Sequence, residues 1–456
     1  MTITPPFGHR ERVCVSHYPL PETPPEPGEA PELMRLNERS SGLAAMYMHI
    51  PFCDVICNFC PFNKRITDDA KLTAYLDTLK REIDLYAATP RIQSLTFGSL
   101  AVGGGTPSAL SAEQLADILR YTQGKLNFTD SAEISIEGNP SNFTEDKLLA
   151  AVEAGCNRVS FGVQSFDDGY TEMLDVPHTA ADSLRAYDDA RAAGLDNVGL
   201  DLIYNLPGQS LNQWLEDLDT AIKVGYDHIT LFSLVIPPFT RLHSLITAEK
   251  VAMPGDHALE LQMYLAATER LVSAGYEQYS VYDFCLPGKI NDHAELYFHR
   301  QTEMLGVGAA AFGYLGGYMY VNQGNLTDYD ASLGRGDQPV LIGSSADTYE
   351  EMCGVMAKGL RLFSVDRAYF RQRFDQDPVD VFGETIRDLV GCGLMEVSDT
   401  EICLTREGQF WGNNICREFF SPHFKEIEEI PREVLARGRL SKSGKAFVSL
   451  EKGRHV

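Results

Sequence analysis

Three cysteines in one short segment are the residues with the clearest chemical meaning in this sequence. Cys53, Cys57 and Cys60 have a C-x3-C-x2-C spacing, so one loop can wrap the three thiolates around a single metal centre. Three sulfur ligands leave a four-iron cluster one ligand short, and an iron without a protein ligand can bind a small molecule. The alternative is a three-cysteine zinc site completed by His49. The spacing favours the cluster, because structural zinc sites usually pair C-x-x-C units from two separate places.

The cysteine loop needs a scaffold, and the sequence around it predicts one of alternating strands and helices. Strand patterns and amphipathic helix patterns follow each other from residue 45 to residue 236. This alternation predicts a parallel sheet with helices outside it. About six such units indicate an α/β fold with a partial, TIM-like (β/α)6 barrel and not the closed barrel of eight units. The strands are expected at residues 45–50, 94–102, 133–137, 158–164, 198–204 and 228–236.

Glycines and polar residues stand at or near the carboxyl ends of these predicted strands. The run Gly103–Thr106 follows the second strand, and Glu137 and Gln164 end the third and the fourth. Asp201 lies within the fifth, where a carboxylate is costly to bury without a partner. Each residue alone could have a structural role, as a turn or a hydrogen-bonding group. Because ligands bind at the carboxyl ends of parallel strands, their shared position favours a binding site.

The two ends of the chain differ from the central part. The Pro-rich segment 18–27 cannot form a helix interior or a central strand, so residues 1–44 are expected to form an extended or partly disordered arm. A polar, Gly-rich stretch at 325–345 suggests a boundary between a core of residues 45–325 and a C-terminal lid domain of residues 326–456. Helix patterns followed by a short hairpin pattern predict a helical, winged-helix-like fold for the lid domain.

The composition argues against several classes of protein. The formal net charge is −25, and no nucleic-acid partner is expected because nucleic-acid binding requires a basic face. No apolar run approaches the ~20 residues of a membrane helix, and the N-terminus lacks a secretory signal pattern. The other cysteines are scattered without a second C-x-x-C unit, as expected for reduced thiols. A soluble, cytoplasmic protein without membrane contact is therefore expected.

These motifs together resemble one family. The spacing of the three cysteines is typical of radical S-adenosylmethionine (SAM) enzymes, and most of the chain is similar to the oxygen-independent coproporphyrinogen III oxidase family among them. The segment Tyr47–Lys64 carries most of the resemblance. The other stretches are Gly103–Pro107, Ser135–Glu137, Phe161–Phe166 and Asp201–Tyr204 with Leu206 and Pro207, and, more loosely, Met304–Gly308 and Asn414–Cys416.

The resemblance implies a 4Fe–4S cluster on Cys53, Cys57 and Cys60, with SAM chelating the open iron. It also implies a second SAM molecule beside the first, an electron donor such as flavodoxin or ferredoxin, and a small-molecule substrate with an unsaturated ring or a tetrapyrrole. It assigns no protein side chain a catalytic role. The residues that match the first SAM site are Tyr47, Gly104, Glu137 and Phe312. Those that match the second site are Phe59, Gly105, Thr106, Gln164, Asp201 and Val235.

Two positions depart from the pattern of the oxidase. Val176 stands where the oxidase has an arginine for the second SAM, and Pro61 and Phe62 replace a Gly-Cys pair of the bacterial oxidase. A partly buried guanidinium that clamps a carboxylate contributes on the order of a few kcal/mol. Either the second SAM is held differently, or the oxidase reaction is not the reaction of this protein. We favour the second interpretation.

The favoured function is a radical SAM enzyme of the class C methyltransferase or anaerobic heme-degrading branch. Such an enzyme would use two SAM molecules to form a 5′-deoxyadenosyl radical and transfer a methyl or methylene unit. The acceptor would be an sp2 carbon of a porphyrin, a heme or a natural product. The enzymatic alternative is propionate decarboxylation of the coproporphyrinogen oxidase type, an oxidoreductase reaction. The other alternative is a heme chaperone, for which His293 and His299 are the possible heme contacts.

Overall fold

The centre of the molecule is a mixed sheet of twelve strands. It is seen in a computed structural model that describes residues 6–13 and 15–426, and the backbone of Glu429–Pro431 and Phe447–Ser449. In chain order, the strands of this sheet are β1 (Leu43–Ile50), β2 (Thr96–Gly104), β3 (Phe128–Gly138), β4 (Arg158–Gln164), β5 (Val198–Tyr204), β6 (His228–Ser233), β7 (Glu277–Gln278), β8 (Asp283–Cys285), β9 (Met304–Val307), β10 (Phe312–Leu315), β11 (Tyr318–Asn322) and β12 (Val340–Ser345).

The first six strands lie side by side in chain order and run parallel. On the other side of β1, β9 pairs in parallel and β10 to β12 continue in antiparallel pairs. Beyond β6, β8 and then β7 pair in antiparallel fashion. The sheet order is therefore β12-β11-β10-β9-β1-β2-β3-β4-β5-β6-β8-β7. The predicted six-unit α/β barrel fold is confirmed, with additional strands at both edges.

Helices connect the parallel strands, and several of them begin at a polar cap. The Asp68 side chain accepts from the Lys71 N–H at the start of the first long helix, and Ser111 and Gln114 form a capping box. These caps satisfy backbone groups that have no partner within the helix. The helices up to residue 334 are Ala30–Leu33, Asp69–Ala87, Pro90–Ser94, Ala112–Lys125, Glu145–Glu153, Asp168–Met173, Ala180–Ala192, Leu211–Val224, Arg241–Thr247, His257–Ser273, Asp292–Ala294 with the π-helical turn Glu295–His299, and Leu326–Gly334.

The C-terminal part is helical and contains a small antiparallel sheet. Glu401–Leu404 pairs with Met395–Val397 on one side and with Ser364–Asp366 on the other. The first of these pairs is the predicted hairpin. The helices of this part are Thr348–Gly359, Arg367–Phe374, Pro378–Val381, Gly383–Gly391, Arg406–Phe410, Gly412–Glu418 and Pro422–Glu426.

The N-terminal arm lies against the body of the protein and is pinned there by a buried arginine. Arg10 Nη1 donates to the hydroxyl of Tyr204 and to Oε1 of Glu260, at 2.7 Å in each case. Its Nε donates to the carbonyl oxygen of Phe410 at 2.9 Å. These hydrogen bonds therefore connect the arm to strand β5, to the helix His257–Ser273 and to the C-terminal part.

The predicted domain boundary at residue 325 stays a prediction. The segment after it contains β12, and β12 belongs to the central sheet, so that sheet continues to Ser345. Of the predicted domain 326–456, residues 427–456 lie outside the described residues except for the two short strands. In the described part of the chain, no helix is both long and apolar enough to cross a membrane.

Candidate active site

The glycine run and the start of the cysteine loop form one hydrogen-bonded unit. The backbone N–H of Gly105 donates to the carbonyl oxygen of Ile50 at 2.8 Å, and that of Thr106 donates to the carbonyl oxygen of Phe52 at 2.7 Å. A Cβ atom added to Gly105 would lie 2.7 Å from the Phe52 carbonyl oxygen. This close backbone contact therefore requires glycine, and it holds the two motifs next to each other.

The middle of the cysteine loop is held by Asn58, which is buried. Its backbone N–H donates to the carbonyl oxygen of Leu174 at 3.1 Å, and its side-chain amide donates to that of Met173 at 2.6 Å. Its own carbonyl oxygen accepts from the N–H of Leu242 at 2.9 Å. Residues that follow β4 and β6 in the chain thus hold the cysteine loop in place through hydrogen bonds.

The three thiols lie within electrostatic range of each other. Burial raises the pKa of Cys53 to about 11, against the lowering effect of the hydrogen bond from the Thr106 hydroxyl. Burial and the neighbouring Cys60 and Cys53 together raise the pKa of Cys57 to about 12. Coordination to a metal deprotonates such thiols outright. A set of three neighbouring thiols on one anchored loop fits an iron–sulfur cluster.

His49 is not arranged as a fourth metal ligand. Its Nδ1 lies 3.0 Å from the hydroxyl of Tyr47, and its Nε2 lies 3.2 Å from the carbonyl oxygen of Asn63. Its ring packs against Gly104, where an added Cβ would lie 2.8 Å from the ring atoms. Among the side chains that the structure describes, no three His, Cys, Asp or Glu groups form a site for one metal ion. With both ring nitrogens engaged, His49 does not support the zinc alternative.

One face of the parallel strands carries the polar residues that the sequence singled out. Glu137 of β3 pairs with Ser160 of β4, and Gly162 of β4 pairs with Asp201 of β5. Side chains alternate between the two faces along a strand, so Glu137 and Asp201 point to the same face. Tyr47 of β1 is in register, through β2, with the residue two positions before Glu137. Tyr47 therefore shares this face as well.

The exposure of these side chains indicates a solvent-accessible space on this face of the sheet. Glu137 is exposed, and Tyr47 and Asp201 are half-buried, although all three lie on central strands. Phe232 of β6 is 37% exposed and lies on the same face as Asp201. Phe312 of β10 and Tyr47 pack against the same apolar cluster. We call the space lined by Tyr47, Glu137, Asp201, Phe232 and Phe312 the interior recess.

The carboxylate of Glu137 affects the protonation of Asp201 in the interior recess. Burial and the nearby Glu137 together raise the pKa of Asp201 to about 7. Desolvation by the surrounding protein also raises the pKa of Glu137, whereas Arg158 and a hydrogen bond from the Gly104 N–H lower it. The carboxylates therefore provide negative charge that a bound cation would stabilise. Arg158 is buried at the start of β4 and was missed in the sequence, although an arginine opening an apolar strand was a usable signal.

The residues implied for the second SAM site fall into two groups. Gln164 has a φ of 68° at the end of β4, a strained conformation for a residue with a side chain and one that concentrates at functional sites. Phe59 and Val176, in contrast, both pack against one apolar cluster that includes Ile203. Val235 is half-buried in the loop after β6. This side of the cysteine loop is thus apolar where the oxidase has an arginine.

The arm supplies a histidine that the sequence did not reveal. His17 stacks on Phe312, with ring centroids 3.9 Å apart and an angle of 9° between the rings. The two candidate heme contacts have other partners: His293 Nδ1 lies 3.2 Å from the hydroxyl of Ser99, and His299 pairs with Glu295 at 3.0 Å. His17 therefore lies beside Phe312, at the edge of the interior recess.

Comparison with known proteins identifies the family. A radical SAM superfamily model matches residues 47–221, and a HemN C-terminal domain model matches residues 347–411. The chain is 31% identical over 380 residues to the heme chaperone HemW of Bacillus subtilis, which covers 83% of this chain and 99% of that protein. The chain belongs to the HemN/HemW family of radical SAM proteins.

Two further proteins are similar to this member of the HemN/HemW family. It is 30% identical over 379 residues to the anaerobilin synthase of Escherichia coli O157:H7, over 81% of this chain and 82% of that protein. The solved structure of the coproporphyrinogen III oxidase HemN from Escherichia coli aligns with a TM-score of 0.76 and 25% identity, over 88% of this chain and 95% of that chain. Membership of this family implies a 4Fe–4S cluster and SAM as cofactors. None of the three relatives is named as a methyltransferase.

Proposed function

We propose that this chain is a radical SAM enzyme that acts on a tetrapyrrole bound in the interior recess. The observation that carries the proposal is the convergence of the cysteine loop, the glycine run and Glu137 at the carboxyl ends of neighbouring parallel strands, beside that recess. When bound, the cluster and SAM would supply an electron and a 5′-deoxyadenosyl radical that abstracts a hydrogen atom.

Residues of this protein would position the cofactors and exclude water from them. Cys53, Cys57 and Cys60 would hold the cluster, and the backbone at Gly104 and Gly105 would allow SAM to approach the strand end closely. The Glu137 carboxylate, which accepts a hydrogen bond from the Gly104 N–H, would accept hydrogen bonds from SAM. Hydrogen bonds to a charged group contribute ~1.5–3 kcal/mol each.

A tetrapyrrole is supported by the names of the relatives and by the aromatic side chains of the recess. The names of the heme chaperone, the anaerobilin synthase and the coproporphyrinogen III oxidase all refer to heme or its relatives. Phe232 and Phe312 give the recess aromatic walls, which suit a flat macrocycle because aromatic rings stack favourably.

The first candidate reaction is an oxidoreductase reaction of the coproporphyrinogen III oxidase type. It is supported by the similarity to HemN along nearly the whole length of both chains. In this reaction, hydrogen abstraction from a propionate side chain would be followed by release of carbon dioxide and by loss of one electron to an acceptor, which leaves a vinyl group.

The second candidate reaction is the transfer of a methyl or methylene unit from a second SAM. The observation that favours it over the oxidase reaction is the apolar surrounding of Val176 and Phe59, since the resemblance implies an arginine of the oxidase at the position of Val176. No relative reported above carries this activity in its name, so methyl transfer is the less supported of the two reactions. Binding of heme without a reaction, as in a chaperone, is the alternative from another class.

Product analysis separates these three functions. The reconstituted protein would be incubated without oxygen with a reductant, methyl-labelled SAM, and either coproporphyrinogen III or heme. Carbon dioxide with loss of propionates supports the oxidase reaction, and label in the tetrapyrrole supports methyl transfer. Tight heme binding without 5′-deoxyadenosine formation supports a chaperone. Failure to bind either tetrapyrrole would refute the proposed substrate class.

A further inference from the structure

The turn at the end of β4 holds Gln164 in a backbone conformation that few side chains adopt. Its φ is 68°, and the N–H of Ser165 donates to the carbonyl oxygen of Val163 at 2.8 Å, which closes a three-residue turn around Gln164. Turns of this kind with a positive central φ are rare and strained. Glycine would adopt the same backbone without strain, so the glutamine side chain is present at a conformational cost. Strain of this kind concentrates at functional sites.

The amide of Gln164 lies on the face of the sheet that borders the interior recess. Gly162 pairs directly with Asp201 of β5, so a side chain at position 162 would point to the same face as Asp201. A Cβ atom added to Gly162 would lie 2.8 Å from Nε2 of Gln164. The amide therefore fills the space that the absent side chain of Gly162 leaves open, one strand away from Asp201.

A buried aspartate of a neighbouring helix holds the turn in place. Asp217 belongs to the helix Leu211–Val224 and is buried. Its Oδ2 accepts from the hydroxyl of Ser165 at 2.8 Å, and its Oδ1 accepts from the N–H of Phe166 at 2.7 Å. Ser165 and Phe166 directly follow Gln164 in the chain. The carboxylate of Asp217 thus fixes the backbone on the C-terminal side of the strained residue.

The N-terminal side of the same turn is held by a buried histidine. His178 Nε2 donates to the carbonyl oxygen of Val163 at 2.9 Å. Burial raises the pKa of Asp217 to about 6, whereas the hydrogen bonds from Phe166 and Ser165 lower it. Burying a carboxylate is costly unless hydrogen bonds offset the loss of water. Two buried polar side chains therefore hold one strained turn.

We infer that Asp217 is a positioning residue, which holds Gln164 so that its amide binds SAM in the interior recess, in the space that Gly162 leaves open. This inference rests on the proposed function and deepens it. A primary amide offers both hydrogen-bond donors and an acceptor, and SAM carries hydroxyl, ammonium and carboxylate groups that match them. Ordering the side chain before binding lowers the entropic cost of binding. Asp217 acts through Gln164 and does not contact SAM itself.

A double-mutant cycle on SAM affinity tests this coupling. The cluster-loaded protein would be dialysed against SAM without oxygen and without reductant. We expect Asp217→Ala and Gln164→Gly each to weaken SAM binding at least about tenfold. The double variant should bind no more weakly than Gln164→Gly, because Asp217 has no other route to SAM. If the wild type binds two SAM molecules, only one of the two binding steps should weaken.

Conservative variants separate positioning from folding. Asp217→Asn should retain most of the affinity, because an amide oxygen can accept from the Phe166 N–H while its NH2 group donates to the Ser165 hydroxyl. Gln164→Gly should unfold at no lower temperature than the wild type, since glycine tolerates the positive φ. Gly162→Ala leaves Asp217 unchanged and displaces only the end of the Gln164 side chain. It should weaken SAM binding in the wild type and have no effect in Gln164→Gly.

The matched control is a buried aspartate at the other end of the parallel strands. Asp227 accepts from the N–H of Val198, at the start of β5, at 2.8 Å. Asp227→Ala should lower stability and leave SAM affinity unchanged. Equal weakening by Asp217→Ala with and without the Gln164 side chain would overturn the inference, as would unchanged affinity in Gly162→Ala and Gln164→Gly. A wild type that neither binds SAM nor, with reductant, forms 5′-deoxyadenosine would instead refute the proposed function.

Discussion

The hydroxyl of Thr106 donates a hydrogen bond to the Sγ of Cys53 at 3.3 Å. This contact joins the side chain of the glycine run to the first sulfur of the cysteine loop, in addition to the backbone hydrogen bonds between the two segments. The glycine run and the cysteine loop are thus connected at the Sγ atom of Cys53, which would bind the cluster. The reduction potential of an iron–sulfur cluster depends on such hydrogen bonds to its sulfurs.

Replacing Thr106 should shift the reduction potential of the cluster. Thr106→Val removes the donor but keeps the shape, so the reduced, more negative cluster loses stabilisation. A hydrogen bond of ~0.5–1.5 kcal/mol corresponds to about 20–60 mV for one electron. We expect a shift of up to this size to more negative potential, measured by redox titration followed by electron paramagnetic resonance. Thr106→Ser keeps the hydroxyl and should show little shift, and equal shifts in both variants would argue against the hydrogen bond.

Replacing Gly105 should displace the cysteine loop. An added Cβ would lie 2.7 Å from the carbonyl oxygen of Phe52 and 2.9 Å from that of Ile50, and overpacking of this kind typically costs ~1–3 kcal/mol. Gly105→Ala should therefore retain less iron and sulfide per chain after reconstitution. The control is Gly124→Ala, since an added Cβ at that glycine meets no atom within 4 Å. Equal iron content in both variants would contradict the close contact.

The affinity for SAM should increase with pH through Asp201. Because its pKa is raised to about 7, Asp201 is mostly protonated below that pH and charged above it. The charged form attracts the sulfonium of SAM, so binding should tighten between about pH 6 and pH 8. Anaerobic equilibrium dialysis over this range measures the effect. Asp201→Asn should remove the pH dependence, and Glu137→Gln should move its midpoint to lower pH because Glu137 contributes to the raised pKa. The same pH dependence in Asp201→Asn would assign it to another group.

The buried ion pair of the arm should contribute strongly to stability. Arg10 and Glu260 are 2.7 Å apart, with 3% and 1% of their side chains exposed, and removing one partner of a buried pair costs ~3–5 kcal/mol. Because Arg12 also pairs with Glu260, at 2.8 Å, Arg10→Ala should lower the free energy of unfolding by up to about this amount in urea titrations. Arg120, 57% exposed and 3.9 Å from Glu153, provides the control, since Arg120→Ala should cost ~1 kcal/mol or less. Similar losses of unfolding free energy in the two variants would contradict a stabilising role of the Arg10–Glu260 ion pair.

The parts of the fold and site that could be predicted from the sequence are those with a local pattern. The strand–helix alternation predicted the parallel sheet. Glu137 and Asp201 lie on one face of this sheet, as expected from the alternation of side chains along neighbouring strands. The hairpin of Met395–Val397 and Glu401–Leu404 followed from short alternating runs. Each of these features depends on residues close together in sequence.

The parts that could not be predicted depend on packing between remote segments. The membership of β12 in the central sheet has no local signal, because the polar, Gly-rich sequence around it is typical of a linker. The contacts of His17 with Phe312 and of Arg361 with Phe298 join the arm, the barrel and the C-terminal part. Each of these residues taken alone is an ordinary histidine or arginine.

The transfer of deuterium into 5′-deoxyadenosine tests the central claim most directly. The reconstituted protein would be given reductant and SAM, with deuterium either in the tetrapyrrole or in the methyl group of SAM, and Cys57→Ser would serve as the control without an intact cluster site. The account predicts 5′-deoxyadenosine that carries deuterium from one of these two sources, formed faster when a tetrapyrrole is present and absent in Cys57→Ser. Tetrapyrrole binding without any change in the formation or labelling of 5′-deoxyadenosine would contradict it.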